Sequence, residues 1–109
     1  MATNTFTSYL NRNVGTSAAT VVTVGVSTQT TVIGMSCANT TTSPVTVDAY
    51  VTRSATSYYL VKGATVPVGS SLVIVGGDQK VVLVSSDVLL VVSSAASSVD
   101  VVTSVLNIT

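Results

Sequence analysis

Few side chains of this sequence could do chemistry. Its 109 residues include four basic residues, four aspartates, no histidine and no glutamate. A Ser–His–Asp hydrolase needs a histidine as its general base, so that mechanism is excluded. Lys62 and Lys80 could activate a serine, but they lie at the end of a predicted strand and after a predicted turn, where we expect them to be solvated. The sequence therefore predicts no catalytic residue, and we expect the protein not to be an enzyme.

The single cysteine and two of the aspartates are the remaining candidates for a reactive or metal-binding site. Cys37 lies in a predicted strand among small residues, with no basic residue near it in sequence, which predicts a buried and unreactive thiol. Asp78 and Asp87 stand alone in predicted turns, whereas a Ca²⁺ site needs six to eight oxygens from closely spaced groups. No Gly-Lys-Ser/Thr and no helix start follow Gly76-Gly77, so this pair is not a phosphate-binding loop. We expect no metal and no cofactor.

One polar face is a candidate for recognition of a ligand. Asp48 and Tyr50 lie on the side of a cleanly alternating strand that is expected to face water, and Arg53 ends that strand. With Tyr58 or Tyr59 from the next strand they would form a patch for a carbohydrate or a receptor. The alternative is an ordinary solubilising sheet face, since tyrosine is common in binding surfaces of several kinds.

The elements that position these side chains are predicted to be short strands. Val, Thr, Ser and Ala dominate the sequence, and β-branched residues favour the pleated strand. Turn residues recur at roughly ten-residue spacing, which predicts an all-β fold, an antiparallel β-sandwich or jelly-roll-like barrel of about eight strands. We expect a single domain over residues 1–109, with residues 1–4, or the longer segment 1–16, as an N-terminal arm. Strands are predicted at residues 5–10, 18–26, 31–39, 45–53, 58–62, 72–75, 81–84, 88–92 and 99–108.

The segment 66–92 organises the rest of the chain. Its three apolar runs are separated by GGDQK and by SSD, which predicts a meander of three strands that are apolar on both faces. A two-layer sandwich buries only one face of each sheet, so the second face needs a cover from the arm or from a neighbouring subunit. The predicted subunit interface consists of Leu72, Val73, Ile74, Val75, Val81, Val82, Val84, Leu89 and Val91.

The charge content points to an assembled protein. Only 7% of the residues are charged and the net charge is zero, whereas a soluble surface usually has about 25–35% charged residues. We therefore expect a homo-oligomer. The four basic residues are scattered, which argues against nucleic acid, and no apolar run approaches the ~20 residues of a membrane helix. The start MATNTFTSYL lacks the features of a signal peptide, and one cysteine fits synthesis in a reducing cytoplasm.

Several motifs carry a resemblance to a known group of proteins. They are the strands VIG-x-x-x-AN, TVD-x-YV and YYLVK, the turn and strand P-V-G-SSL-V, the segment GGDQK and the finish SSAASSVDVV. Over residues 30–106 this pattern resembles small structural proteins of tailed bacteriophages, including those of cyanobacteria.

The resemblance implies a β-sandwich component of a virion, made in the host cytoplasm. Such a protein oligomerises and docks on capsid, neck or tail proteins. Capsid decoration, or cement, is the first expectation. The alternatives are a neck, tail or baseplate accessory protein and a receptor- or carbohydrate-binding module of a fibre.

Overall fold

The protein is built from strands alone. The computed structural model describes residues 3–76 and 79–109, and these residues form nine strands and no helix. The abundance of β-branched residues accounts for this, because their stiff side chains pack well on a pleated surface. The strands are β1 (Asn4–Val14), β2 (Ala19–Thr23), β3 (Gln29–Asn39), β4 (Val45–Arg53), β5 (Thr56–Val66), β6 (Ser71–Val75), β7 (Val81–Leu83), β8 (Val88–Ser93) and β9 (Val99–Ile108).

The strands form two antiparallel sheets packed face to face. Sheet A has the order β1-β9-β3, and β6 and β7 both pair with the far side of β3. Sheet B has the order β2-β8-β4-β5. The predicted antiparallel β-sandwich is confirmed. Its core is dominated by valine, with Met35, Leu83 and Leu89 as the largest fully buried side chains.

Strands β4 and β9 begin and end at the predicted residues. In β4 the four apolar side chains from Val45 to Val51 are buried, and the polar residues between them lie on the outer side. Pro44 precedes the strand, where its missing N–H removes no ladder hydrogen bond. In β9, Val99, Val101 and Val105 are buried in the same manner. A period of two with one buried face therefore defines both strands.

The predicted three-strand meander is wrong. β6 and β7 do not form a hairpin: β6 pairs with residues 35–38 of β3, and β7 pairs with residues 30–32 of the same strand. The two short strands thus follow each other along one edge of β3, with residues 76–80 between them. β8 belongs to sheet B, where it pairs with β2 and β4. Gly77 and Asp78 lie outside the described residues.

The predicted N-terminal arm is, from Asn4 onward, a strand of the sandwich. β1 pairs with β9 from Asn4 to Asn11, with Val14 in register again after an irregularity. The backbone of Thr3 exchanges two hydrogen bonds with Thr109, at 2.9 and 3.0 Å. The longer arm, residues 1–16, is therefore wrong, and Met1 and Ala2 lie outside the described residues.

The hairpin between β4 and β5 has a strained turn. Arg53 is paired with Thr56, so the loop contains only Ser54 and Ala55, whose φ angles are 53° and 62°. Positive φ at both central residues is the geometry of a type I′ turn, which matches the twist of the flanking strands and favours Asn-Gly. Neither residue here is Asn or Gly, so this turn carries backbone strain.

Buried polar groups anchor the loops. The side-chain amide of Asn39 donates to the carbonyls of Ser43 and Val66, at 2.9 and 3.0 Å, and its oxygen accepts from the backbone N–H of Thr41 at 2.9 Å. Asn39 thereby holds the loop before β4 against the end of β5. In contrast, Oγ1 of Thr103 is buried in the core and has no hydrogen-bond partner within the described residues.

Candidate assembly surface

The outer face of sheet A carries an apolar row across all its strand positions. Phe6 of β1 lies opposite Leu106 of β9, Leu106 lies opposite Thr31 of β3, and Thr31 lies opposite Val82 of β7. Directly opposed residues in a sheet point to the same side. Phe6 and Val82, at the two ends of the row, are 75% and 58% exposed. We call this line of four residues the Phe6 row.

A second apolar row runs parallel to the first. Leu10 lies opposite Val102, Val102 opposite Ser36, and Ser36 opposite Val73. Leu10, Val102 and Val73 are 73%, 48% and 64% exposed. We call this line the Leu10 row. Four residues along a strand separate the two rows, which is about 13 Å.

Small residues fill the space between the two rows. Ser8 lies opposite Ser104, which lies opposite Gly34. The outer face of sheet A is thus two apolar ridges with a shallow groove between them. β3 has a bulge at this point, because its register with β9 shifts between Val32 and Gly34.

The structure divides the predicted interface residues into three groups. Val73 and Val82 are exposed on the outer face of sheet A, and Val84 is exposed in the turn after β7. Leu72, Ile74 and Val81 are partly buried and pack against the core. Whether the exposed residues contact another subunit remains a prediction.

Three of the predicted interface residues are not on the surface. Val75, Leu89 and Val91 are at most 1% exposed and belong to the chain's own core. Their assignment to a subunit interface is wrong. The physical reason is that β6 and β8 lie in different sheets, so each turns one face inward, and these side chains are on that inward face.

Three exposed apolar residues of the outer face escaped the sequence-based interface. Phe6, Leu10 and Val102 are 75%, 73% and 48% exposed. The signal was present for two of them, because Phe6 and Leu10 fall on the same side of the alternating segment 5–10. Only the pairing of β1 with β9 brings that side next to Val102.

The predicted recognition face separates into two clusters. Tyr50 stacks against Tyr59 with ring centroids 5.0 Å apart, and the ammonium of Lys62 lies 4.4 Å from the Tyr59 ring centre. Asp48 accepts a 2.6 Å hydrogen bond from the Gly63 N–H and lies 3.9 Å from the Lys62 ammonium. Both charged groups of this cluster thus have partners in the chain.

Arg53 belongs to the second cluster, around Asp87. Its Nε donates to Oδ1 of Asp87 at 2.9 Å and its Nη2 donates to Oδ2 at 2.7 Å. The Asp87 side chain is 1% exposed, whereas that of Arg53 is 52% exposed. Arg53 is therefore the ion-pair partner of a buried carboxylate. Asp48, Tyr50 and Arg53 do not form a single recognition patch.

Two further bonds lock Asp87 in place. The Val84 N–H donates to Oδ2 at 2.9 Å, and the Asp87 carbonyl accepts from the Val24 N–H, also at 2.9 Å. The hydrogen bonds from Arg53, followed by that from Val84, lower the pKa of Asp87 against the opposing effect of burial. The same pairing raises the pKa of Arg53. The Ser86-Asp87 dipeptide predicts a turn, but it does not predict that Arg53 pairs with Asp87.

The burial of Cys37 is confirmed. Its side chain is fully enclosed between the sheets, and burial raises the pKa of its thiol to about 11. The thiolate, which is the nucleophilic form, is therefore scarce at neutral pH.

The described residues also bear on metal and membrane binding. In residues 3–76 and 79–109, no three His, Cys, Asp or Glu side chains come together in a group that could hold a metal ion. The same residues contain no helix of the length and hydropathy that a membrane crossing requires. Asp78, one of the weighed cation ligands, lies outside them.

Comparison with known proteins identifies the fold. No protein-family model matches the chain, and no curated protein matches it. Among solved structures it is similar to a protein of Bacillus endospore appendages, described as a novel family of disulfide-linked pili, with a TM-score of 0.57 and 18% identity over 97% of this chain and 86% of the other. A chain from the infectious bursal disease virus Gt strain aligns over 99% of this chain and 32% of its own length, with a TM-score of 0.47 and 7% identity. The first likeness shows a shared two-sheet architecture.

Proposed function

We propose that this protein is a non-enzymatic structural component of a tailed-phage virion that oligomerises and docks on other virion proteins. Capsid decoration, or cement, is the position proposed first. The observation that carries the proposal is the outer face of sheet A, where two apolar rows lie open to solvent. The resemblance of residues 30–106 to small phage structural proteins supports the virion as the setting.

The size of this face fits a subunit contact. Four strand positions at about 4.8 Å and ten residues at about 3.3 Å give a surface of about 19 by 33 Å, on the order of 600 Å². A standard protein interface buries about 800 Å² on each partner. Apolar area removed from water contributes about 25 cal/mol per Å², and repetition over many copies strengthens a modest contact further.

The assembly proposed here is non-covalent. The sequence has one cysteine, and its thiol is enclosed in the core. Disulfide links, which the Bacillus pili are described as having, are therefore not open to the folded chain through Cys37.

Sedimentation velocity of the purified protein tests the assembly. We expect wild type to form oligomers that grow with concentration, and Val73→Lys with Val102→Lys to reduce that growth, because the lysines place two charges in the Leu10 row. The matched control is Val26→Lys, since Val26 is exposed in the segment between β2 and β3 and belongs to neither apolar row. A monomeric wild type at every concentration would contradict self-assembly.

Labelling of particles tests the location. Gold-labelled antibody against the protein should decorate capsids of the phage that encodes it. Label on the neck, tail or baseplate would move the protein to the alternative position, and unlabelled particles would remove it from the virion.

The aromatic cluster favours a second candidate, a receptor- or carbohydrate-binding module of a fibre. Tyr50 and Tyr59 form a stacked pair beside Lys62, and Tyr59 is 47% exposed. Tyrosine faces with a neighbouring charge suit sugars and proteins alike. A glycan array should then show binding that Tyr59→Ala abolishes and Leu10→Ala leaves intact. An array without binding would remove this candidate.

A further inference from the structure

Within residues 3–76 and 79–109, three of the four sheet edges carry features that hinder pairing with another chain. Unpaired backbone groups on an edge strand are a template for a further strand, and proteins block them with short strands, charges or bulges. β2 has five residues and a register shift. β6 and β7 have five and three residues and are separated by the segment 76–80. β5 is long, but it has two register shifts, Lys62, and Gly63 at a φ of 68°.

β1 carries such devices only at its C-terminal end, where Arg12 and a register shift lie between Asn11 and Val14. From Asn4 to Asn11 it pairs with β9 without a register shift, and this stretch, NTFTSYLN, contains no charged residue and no proline. From Asn4 to Ser8 every side chain is exposed, including those on the side that faces sheet B. Both faces and the free edge of this strand are therefore open to a partner.

The hydrogen-bonding pattern shows which backbone groups point to the free edge. Thr3 and Thr109 exchange both of their backbone hydrogen bonds, so they are a closely spaced pair. In an antiparallel ladder such pairs recur at every second residue. Odd-numbered residues of β1 therefore bond to β9, and the N–H and C=O groups of Asn4, Phe6, Ser8 and Leu10 point outward. The side chains of these same residues lie on the outer face of sheet A.

We propose that β1 pairs antiparallel with β1 of a second copy of this chain, about a two-fold axis at Ser8. The other edges are blocked, so β1 itself is the edge that a second copy can offer, and a two-fold contact between identical strands is antiparallel. An axis at Ser8 places Phe6 of each copy opposite Leu10 of the other. An axis at Thr7 would instead place Phe6 opposite Ser8, so that pairing would lack the apolar cross-strand contact between Phe6 and Leu10.

This pairing joins the apolar rows of the two copies. The Phe6 row of one copy continues as the Leu10 row of the other, so each row extends across both sheets. The inference rests on the proposed function only in that both require the chain to associate with itself. It adds that the first association is a two-fold dimer through β1, which doubles the outer face of sheet A.

Cysteine trapping tests the geometry. In Ser8→Cys the two new thiols would sit at the axis, with Cα atoms about 5.5 Å apart, within the range that a disulfide spans. In Ser104→Cys, the matched control on the same face one strand further in, the distance would be about 15 Å. Mild oxidation of each purified full-length variant, followed by non-reducing electrophoresis, should give a covalent dimer for Ser8→Cys only. Cys37, which is enclosed in the core, does not compete.

A pair of proline variants tests the hydrogen bonds. Ser8→Pro removes an N–H that points to the free edge, where proline is tolerated. It should abolish the dimer in sedimentation velocity. Its melting temperature should stay near that of wild type at a concentration where wild type is monomeric. Thr7→Pro removes an N–H that bonds to β9, so it should lower the melting temperature clearly.

The outcomes separate this inference from the proposed function. A covalent dimer of Ser8→Cys but not of Ser104→Cys, together with loss of the non-covalent dimer in the separate variant Ser8→Pro, supports the pairing. Oligomers that persist in Ser8→Pro, or that trap Ser104→Cys as well as Ser8→Cys, overturn β1 pairing and leave self-assembly standing. Monomers in wild type overturn both.

Discussion

The guanidinium of Arg53 donates two hydrogen bonds, of 2.9 and 2.7 Å, to the buried carboxylate of Asp87. The two residues come from the end of β4 and from the turn before β8, 34 positions apart. The third bond, from the Val84 N–H, fixes the carboxylate within its own turn. This pair ties β4 to the turn that carries the chain from sheet A to sheet B.

The pair predicts an acid limit to stability. Because the pKa of Asp87 is lowered in the folded protein, the unfolded chain binds its proton first as the pH falls. The pair's contribution to the free energy of unfolding is thus complete above the unfolded-state pKa of Asp87, about 3.9. It is lost as the pH drops through the lower pKa of Asp87 in the folded protein. Urea unfolding of wild type from pH 7 to pH 3 should show a falling free energy of unfolding below about pH 4.

Variants assign that decline to Asp87. Asp87→Asn should be less stable at pH 7 by on the order of 1–3 kcal/mol, since it loses charge-assisted bonds, and should show a shallower decline in acid. Asp48→Asn is the control and should keep the decline. If Asp87→Asn kept the wild-type pH profile, other carboxylates would cause the loss of stability in acid.

Removing the unpartnered hydroxyl of Thr103 should stabilise the protein. Thr103→Val replaces a buried group without a partner by a methyl of similar size, and a buried unsatisfied polar group costs about 1–3 kcal/mol. We expect a gain of about 1 kcal/mol in the free energy of unfolding. The control is Thr30→Val, because the buried Thr30 hydroxyl donates to Asn107 at 2.6 Å, and its loss should destabilise. A destabilised Thr103→Val would show that the hydroxyl is bonded in solution.

The turn at Ser54 and Ala55 should also be improvable. Ser54→Asn with Ala55→Gly introduces the pair that a type I′ turn favours, and relief of the positive φ angles should raise stability by about 0.5–1 kcal/mol. Thermal unfolding followed by circular dichroism measures the change. Ala96→Gly, at an exposed position that is not among those with positive φ, is the control and should lose stability. A loss in the double variant would contradict the assigned turn.

Two valines that were predicted together as interface should behave differently. Val75→Ala should destabilise the protein by about 2–3 kcal/mol, since it opens a cavity in the core. Val82→Ala, on the outer face, should change the free energy of unfolding of the monomer by about 0.5 kcal/mol or less, while weakening association. Equal losses in urea titrations at a concentration where the protein is monomeric would contradict the assignment of Val75 to the core and Val82 to the surface.

Cys37 should resist alkylation until the protein unfolds. With its pKa raised to about 11 by burial and no exposed surface, the thiol should react with iodoacetamide at pH 8 orders of magnitude more slowly than in urea. Mass spectrometry of timed samples measures both rates, and Val26→Cys supplies an exposed thiol for comparison, since Val26 is 83% exposed. Rapid modification of native Cys37 would show that the sheets separate frequently.

The sequence by itself predicts several of the strands and the burial of Cys37. Alternation with a period of two places β4 at Val45–Arg53 and β9 at Val99–Ile108, and the small neighbours of Cys37 indicate its burial. These features depend on residues within about ten positions of each other, where side-chain period and turn chemistry act directly. The sparse charge likewise follows from composition alone.

The pairing of distant strands was decided by the tertiary structure. The runs 72–75 and 81–84 are apolar on both sides, so their pattern is the same whether they pair with each other or follow one another along β3. β3 has eleven residues, enough to accept both short strands end to end, and that pairing sends β8 to the other sheet. It buries Val75, Leu89 and Val91, gives Arg53 a buried partner, and aligns Phe6 and Leu10 with Val102. The reason is physical: burial and hydrogen bonding select among pairings by the contacts of the whole sandwich, which no single segment contains.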